Sequence, residues 1–494
     1  MHYERLSALD NSFLVQEGRF TYMHIAATAI FAPGSMLASG AGGVDIERIR
    51  EYVSSRLHLV PRYRQRLGYV PLTNDPIWID DDHFDLGYHV RHVSLPRPGT
   101  DEQLRQLCAR IMERQLDRTR PLWECWFVEG VGEGRFAMIT KVHHCMVDGI
   151  GGVDLLAALL TMAPNHDVAS PEPWTPRSAP QGAALWREEA LRRAKSVLGV
   201  VGGVRPESAR SAAAGNSLRA TAASLWSLAK NGMRRPSRLP FNGRIGPHRR
   251  VEWIETSLED VKRIKSLLGG TLNDVVLGVV AGAMRRLLRD FGADAQSTAL
   301  RVAVPVSVRA AAQRGTAGNR VSVWLADLPV GERDPWRRLT AVRKITEELR
   351  DSHQAEGTQA LAEVAEWTGA NLLGLALRLL NSTQPYNLIV TNVPGPPMPL
   401  YLLDARMETL YPHLPLFEGQ GLGIALVSYA GTLAWGLTGD WDLMAKLDVL
   451  RDAIVRSFAE LDKVARAIEA SAHGSEKSAG GRRSRRTLRV VGSS

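Results

Sequence analysis

Cysteine is scarce in this chain, which has Cys108, Cys125 and Cys145 among its 494 residues. An odd number of cysteines without paired spacing predicts neither a disulfide framework nor a cysteine-based zinc site. The scarcity therefore favours a reducing, cytoplasmic environment.

Long apolar runs are also missing. No stretch reaches the roughly 18 uncharged apolar residues that a membrane-spanning helix needs, and the longest apolar patch, Val275 to Met284, is shorter. The first residues, Met1 to Leu6, show no apolar core of a secretory signal. With 45% apolar and 23% charged residues, the composition is typical of a globular protein with a large core.

The charge balance is basic, with a formal net charge of +9. The excess of lysine and arginine lies in the middle of the chain and in the C-terminal tail, away from any nucleic-acid motif. We therefore expect an acidic phospholipid surface or an anionic compound such as coenzyme A, rather than nucleic acid, as the partner of these charges.

The most informative stretch contains His143, His144, Asp148 and Gly149. It follows a strand-like run and precedes a glycine-rich turn and an apolar, helix-like run. Histidine has a pKa near neutrality, so a positioned imidazole can take a proton from an attacking alcohol or amine. The carboxylate could orient the ring or fix the loop, and the glycine permits backbone angles that a Cβ resists.

Three other interpretations of these residues remain open. The histidines could be hydrogen-bonded members of the core. His144 and Asp148 could instead bind a metal, although the sequence shows no convincing third ligand nearby. Cys145 could be a nucleophile, but adjacent residues on an extended segment point to opposite faces, which argues against its acting together with His144.

The remaining pattern predicts alternating strands and helices. A strand entered through Pro121, Leu122 and Trp123 precedes the histidine pair, and residues 424–429 and 432–438 form a hairpin. In the second half, Ser257 caps one helix, and Thr271 or Asn273 caps a longer one. Asn273 and Asp274 could belong only to this cap, or they could order a reaction centre.

The segment over residues 164–250 has its own composition. Several prolines begin it, and two basic amphipathic stretches with Trp186 and Trp226 follow. Such helices can lie in a membrane interface, or they can pack their apolar face on protein. From Ser471 the chain is small, polar and basic, so we expect disorder there.

Several short motifs occur in a fixed order along the chain. Together they resemble the bacterial wax ester synthase/diacylglycerol acyltransferase family, a branch of the HHxxxDG acyltransferase superfamily, over about residues 1–470. The motifs are Leu6-Ser7-Ala8-Leu9-Asp10, Pro121-Leu122-Trp123, the His-His segment, Phe241-Asn242-Gly243, Asn273-Asp274 and Thr391-Asn392-Val393-Pro394-Gly395-Pro396. The Asp-Phe-Gly-Trp-Gly element of the plant BAHD branch is absent.

The resemblance implies an α/β (α+β) fold of two chloramphenicol acetyltransferase-like domains, each a mixed β-sheet flanked by helices. The first domain would span residues 1–165 and carry the His-His loop. A basic helical crossover over 166–250 would lead to the second domain, over 251–470, and a disordered basic tail would occupy 471–494. A tunnel would run between the two halves.

The resemblance also implies roles for the motif residues. His144 would be the general base that deprotonates an acceptor hydroxyl, which attacks the thioester of a long-chain acyl-CoA directly. His143, Asp148 and Gly149 would support the loop, and Asn273 and Asp274 would lie near the reaction centre. Pro121, Leu122 and Trp123 would line the pocket. A thioester is already activated, so we expect neither a metal nor a cofactor.

The expected products are triacylglycerol from diacylglycerol and wax esters from long-chain alcohols. The alternatives are an acyltransferase with a carrier-bound donor or another acceptor, and a non-catalytic lipid-binding protein. We expect a cytoplasmic protein, with peripheral contact to the anionic inner membrane or to lipid droplets, and no nucleic-acid partner.

Overall fold

The computed structural model of the chain describes residues 3–35, 43–71, 74–146, 155–179, 182, 185–187, 191, 236–307, 321–351 and 385–484. Asp148, Gly149 and most of the predicted crossover over 166–250 lie outside these ranges.

Strands and helices alternate along the first half as the sequence pattern predicts. Its elements are β1 (Glu4–Arg5), α1 (Ala8–Gln16), β2 (His24–Phe31), α2 (Ile46–Arg56), β3 (Gln65–Tyr69), β4 (Pro76–Asp80), α3 (Leu86–His89), β5 (Val90–Ser94), α4 (Asp101–Met112), β6 (Trp123–Val131), β7 (Arg135–His143) and α5 (Leu155–Leu159).

The second half has longer helices. Its elements are β8 (Arg249–Ser257), α6 (Leu258–Leu268), α7 (Leu272–Asp290), β9 (Leu300–Ser307), β10 (Val321–Leu328), α8 (Pro335–Asp351), β11 (Leu388–Pro394), β12 (Tyr401–Leu402), β13 (Ala405–His413), β14 (Leu422–Tyr429), β15 (Thr432–Asp440) and α9 (Leu447–Ser484).

Two large mixed sheets organise the described residues. The first has the strand order β12-β13-β2-β7-β6-β5, and the second has the order β10-β9-β11-β14-β15-β8. Each contains parallel pairs among antiparallel ones: β5 with β6 in the first, and β11 with both β9 and β14 in the second. Helices flank both sheets, which confirms the predicted fold class.

One segment of the second half completes the first sheet. β13 pairs with β2 in antiparallel register, so that Leu410 faces Ala29 and His413 faces Ala26. The side chains take part as well, because His413 Nε2 lies 3.0 Å from Thr28 Oγ1. The first sheet is therefore built from both halves, although β12 and β13 lie in the range predicted as the second domain.

The core of the second half surrounds α7. Every residue from Asp274 to Met284 is buried, and the helix packs against α8 and α9. Gly269 and Gly270, with φ of 79° and 98°, turn the chain sharply between α6 and α7. Ser257 and Thr271 cap these two helices by accepting the backbone N–H of Asp260 and Asp274. The predicted Ser257 cap is confirmed, and of the two residues predicted for the second cap it is Thr271, not Asn273, that forms it.

Two helical features bear on the expectations for membrane contact and for the tail. In the part of the chain that the structure describes, no single helix is long and apolar enough to cross a membrane. α6 and α7 meet that test only as a pair, which is bent by 97°. α9 continues to Ser484. The disorder expected for the basic tail over 471–494 stays a prediction.

Candidate active site

The two histidines lie where β7 leaves the middle of the first sheet. His143 faces His24 of β2 in the sheet register. The backbone N–H of His143 donates to the carbonyl of Leu122 at 3.0 Å, and the backbone N–H of His144 donates to the carbonyl of Met23 at 2.7 Å. A 3-10 turn over His144–Met146 follows at once. Backbone bonds to the residues directly before β6 and β2 therefore fix the position of the pair.

His143 is an internal side chain whose ring lies between the following turn and Glu17. It is 1% exposed, and its Nδ1 accepts the backbone N–H of Cys145 at 3.2 Å. Since Nδ1 is an acceptor, the ring proton of the neutral form belongs on Nε2, which lies 3.2 Å from Glu17 Oε1. Neither nitrogen can reach a substrate, which supports the prediction that His143 holds the loop.

His144 differs from its neighbour because it is only half-buried. Its ring stacks on that of Phe13, with 3.9 Å between the ring centroids and 23° between the planes. Phe13 belongs to α1, which packs on the 3-10 turn. Helix α1 thus orients the histidine that stays partly accessible, which is the position that a general base needs.

Glu17 is a member of this site that the sequence did not reveal. It follows the last residue of α1, and its side chain is 3% exposed. Burial raises the pKa of Glu17, but contacts with His143, His24 and Arg118 outweigh it and hold the pKa well below its usual range. No local pattern marks this residue, because its partners come from distant parts of the chain.

Cys145 does not supply a nucleophile. Its side chain is buried, and burial raises the pKa of the thiol well above its usual value. His144–Met146 form a 3-10 turn and not the extended segment expected from the sequence, so burial, and not the alternation of faces, excludes Cys145. The sulfur lies 2.9 Å from Nδ1 of His143, so it packs behind the histidine pair.

The Pro121-Leu122-Trp123 segment forms a buried support under β7. Trp123 donates its indole N–H to the carbonyl of Tyr63 at 2.8 Å, and its ring stacks on His89 at 4.6 Å. The carbonyl of Leu122 receives the N–H of His143. The structure therefore gives this segment a positioning role, and its predicted lining of the substrate pocket stays a prediction.

The Asn273-Asp274 motif has a different role for each residue. The carboxylate of Asp274 accepts the N–H of Thr271 and the hydroxyl of Thr346, both at 2.6 Å, so it caps α7 and ties it to α8. Asn273 instead accepts a hydrogen bond from Asn392 at 2.8 Å. This bond joins two motifs that lie 119 residues apart.

A cavity of about 320 Å³ opens beside this motif. Its apolar wall is formed by Leu272, Leu277, Val304 and Trp324, and its polar wall by Thr271, Asn273, Asp274, Thr346 and Arg350. Its size is at the lower end of the range typical of ligand pockets.

Two of the predicted site residues lie outside the described residues. The roles of Asp148 and Gly149 therefore stay predictions. Within the described ranges, no group of three or more His, Cys, Asp or Glu side chains is arranged to hold a metal ion.

Two known protein-family models match this chain. The family model of the wax ester synthase/diacylglycerol acyltransferase catalytic domain matches residues 6–276, and that of the WS/DGAT C-terminal domain matches residues 317–462. The chain belongs to the wax ester synthase/diacylglycerol acyltransferase family. The protein is therefore an acyltransferase, as predicted.

Relatives in this family match almost end to end. The "probable diacyglycerol O-acyltransferase tgs1" of Mycobacterium tuberculosis strain H37Rv is 32% identical, covering 92% of this chain and 95% of that protein. The "probable diacyglycerol O-acyltransferase tgs2" of the same strain is also 32% identical, covering 87% of this chain and 92% of that protein.

Solved structures show that the fold is shared. The wax ester synthase/diacylglycerol acyltransferase from Marinobacter aquaeolei VT8 superposes with a TM-score of 0.67 at 24% identity, covering 93% of this chain and 99% of that one. The trichothecene 15-O-acetyltransferase of Fusarium sporotrichioides superposes with a TM-score of 0.60 at 11% identity, covering 93% and 95%.

Proposed function

We propose that this wax ester synthase/diacylglycerol acyltransferase moves a long-chain fatty acyl group from acyl-CoA to the hydroxyl of diacylglycerol, forming triacylglycerol. Long-chain alcohols would be acceptors in a variant reaction that forms wax esters. The observation that carries the proposal is the half-buried His144 at the end of β7, held by Phe13 and by the backbone of Met23. The names of the mycobacterial relatives support the choice of acceptor.

The chemistry needs one base and one oriented hydroxyl. The imidazole of His144 takes the proton of the acceptor hydroxyl. At the same time the hydroxyl oxygen attacks the carbonyl carbon of the thioester. The tetrahedral intermediate then collapses, the C–S bond breaks, and the coenzyme A sulfur leaves with the proton from His144. Because a thioester is already activated, the reaction requires no metal, cofactor or covalent enzyme intermediate.

The cavity beside Asn273 offers a place for part of the acyl chain. Its apolar wall suits a hydrocarbon, and the exposed Arg350 at its polar wall would attract the anionic coenzyme A portion of the donor. We assign it as an acyl-donor subsite on these grounds.

Contact with an anionic lipid surface is a second part of the proposal. The large apolar side chains of Trp186 and Leu191 are 49% and 56% exposed. In the sequence, Arg187, Arg192 and Arg193 lie among and beside them. Exposed apolar groups next to cations are typical of proteins that rest on an anionic membrane interface.

An assay of donors and acceptors tests the function. Purified protein is given labelled palmitoyl-CoA, or palmitoyl on an acyl carrier protein, with diacylglycerol or hexadecanol, and the lipid products are separated. We expect triacylglycerol from palmitoyl-CoA, with one free coenzyme A released per ester formed. Preference for the carrier-bound donor would replace the donor assignment. Lipid binding without transfer from any donor would point to a non-catalytic binding protein.

A further inference from the structure

We propose that Glu17 is the positioning residue of this site: its carboxylate holds both histidines in the arrangement that acyl transfer needs. The inference rests on the proposed function, since it gives the role of the histidines a structural cause. Its basis is the set of contacts that converge on the two oxygens of this carboxylate.

The first contact is direct. Glu17 Oε1 lies 3.2 Å from Nε2 of His143. The opposite nitrogen of that ring accepts the N–H of Cys145, so the ring proton of the neutral form belongs on Nε2, the nitrogen that lies beside the carboxylate. A carboxylate at this distance favours the tautomer with the proton on Nε2, which leaves Nδ1 free to accept the turn's N–H. Glu17 thereby keeps the turn after β7 in its observed shape.

The second contact reaches His144 through one residue. Glu17 Oε1 also accepts the backbone N–H of Met23 at 3.1 Å. The carbonyl of Met23 in turn accepts the N–H of His144 at 2.7 Å. The same oxygen atom therefore fixes His143 through its ring and His144 through its backbone.

The other oxygen anchors Glu17 itself. Oε2 accepts hydrogen bonds from Nε of Arg118 and from Nε2 of Gln115, both at 3.2 Å. Arg118 also donates to the carbonyl of Leu14 in α1 at 3.1 Å. These bonds hold the carboxylate between α1 and the loop that leads to Pro121.

The surroundings keep the Glu17 carboxylate ionised. The charged or titratable groups that face it are His24 and His143 from β2 and β7, and Arg118 from the loop after α4; Lys141 acts from farther along β7. His24 is buried, and burial holds its pKa well below the usual value, so it is neutral. Arg118 supplies the balancing positive charge at hydrogen-bond distance.

The test compares Glu17→Gln with Glu17→Asp and with the control Glu47→Gln. Glutamine keeps the shape of the side chain but carries no charge, and Glu47 is a glutamate whose side chain is 73% exposed. We expect kcat for acyl transfer to fall by about 10- to 100-fold in Glu17→Gln, because small misplacements of catalytic groups cost that much. The KM for palmitoyl-CoA should stay within about twofold, since the change spares substrate binding. Glu17→Asp should recover part of kcat, and Glu47→Gln should match wild type.

A second measurement separates positioning from folding. Nitrogen-15 NMR of the histidines reports which ring nitrogen carries the proton. We expect His143 to be the Nε2–H tautomer in wild type and in Glu17→Asp, and to lose this preference in folded Glu17→Gln. A Glu17→Gln protein that folds, keeps wild-type kcat and keeps the tautomer would overturn the proposal. The NMR needs no substrate, so inactivity of the wild type would reject the proposed function without deciding the role of Glu17.

Discussion

The role of Asp274 leads to a prediction whose size follows from its contacts. The residue is 3% exposed, and its two oxygens accept the N–H of Thr271 and the hydroxyl of Thr346 at 2.6 Å each. Hydrogen bonds to a charged group contribute about 1.5–3 kcal/mol each. Thr346 keeps a second acceptor, the carbonyl of Arg343 at 2.9 Å, so its hydroxyl is not left unpaired by the change.

We therefore expect Asp274→Ala to lower the free energy of unfolding by about 3–4 kcal/mol, and Asp274→Asn by about 1–2 kcal/mol. Thr346→Val removes one of the two bonds and should cost about 1–2 kcal/mol. Thr340→Val is the matched control, because Thr340 lies exposed on the same helix and its hydroxyl donates to the carbonyl of Trp336. It should change the free energy of unfolding by less than about 0.5 kcal/mol.

Urea unfolding followed by tryptophan fluorescence measures these differences, and acyl transfer is measured on the folded fraction. A double mutant with Asp274→Ala and Thr346→Val should be less destabilised than the sum of the singles by about 1 kcal/mol, because both single changes remove the same bond. If Asp274→Asn keeps the wild-type free energy of unfolding while acyl transfer is almost lost, the structural role of Asp274 is refuted. That result would place the carboxylate in the chemistry and not in the cap.

Three further predictions concern other parts of the molecule. Burial lowers the pKa of His413 to about 3. Below pH 6.5 the unfolded chain therefore binds a proton at this residue, while the folded protein keeps it neutral. The free energy of unfolding should fall, through this group, by up to about 1.4 kcal/mol for each pH unit below 6.5. In urea unfolding at pH 7, 6 and 5, the free energy of unfolding of His413→Gln should depend less steeply on pH than that of wild type. An equal dependence would contradict the lowered pKa of His413. Leu272→Trp narrows the cavity, so the ratio of kcat/KM for palmitoyl-CoA to that for octanoyl-CoA should fall by at least about tenfold in the transfer assay. An unchanged ratio would show that the cavity does not bind the acyl donor. Trp186→Ser should weaken cosedimentation with vesicles of anionic phospholipid roughly tenfold; equal binding by both proteins would remove Trp186 from the interface.

Much of the local structure could be predicted because its causes are local. The hairpin between β14 and β15 turns at Ala430 and Gly431, whose φ angles of 44° and 91° match the two-residue turn expected there. Ser257 and Thr271 stand directly before helical periodicity, where a capping side chain is needed. The position of the histidine pair at a strand end follows from the same kind of pattern.

The features that the sequence did not predict depend on distant contacts. Glu17 meets His143 across 126 residues of chain, and nothing near it in sequence indicates a buried carboxylate. The alternating pattern of β13 predicts a strand but not which sheet it joins, since alternation describes the strand's two faces and not its neighbours. The 3-10 turn over His144–Met146 was not predicted, because the sequence pattern was interpreted as an extended segment up to Cys145.

The most direct test of the general-base assignment is the rate of acyl transfer by His144→Ala. Wild type, His144→Ala and the control His83→Ala, which replaces an exposed histidine, are compared at saturating palmitoyl-CoA and diacylglycerol. We predict that kcat of His144→Ala falls by about 100-fold or more while His83→Ala keeps the wild-type rate. A folded His144→Ala protein that transfers acyl groups at nearly the wild-type rate would contradict the account.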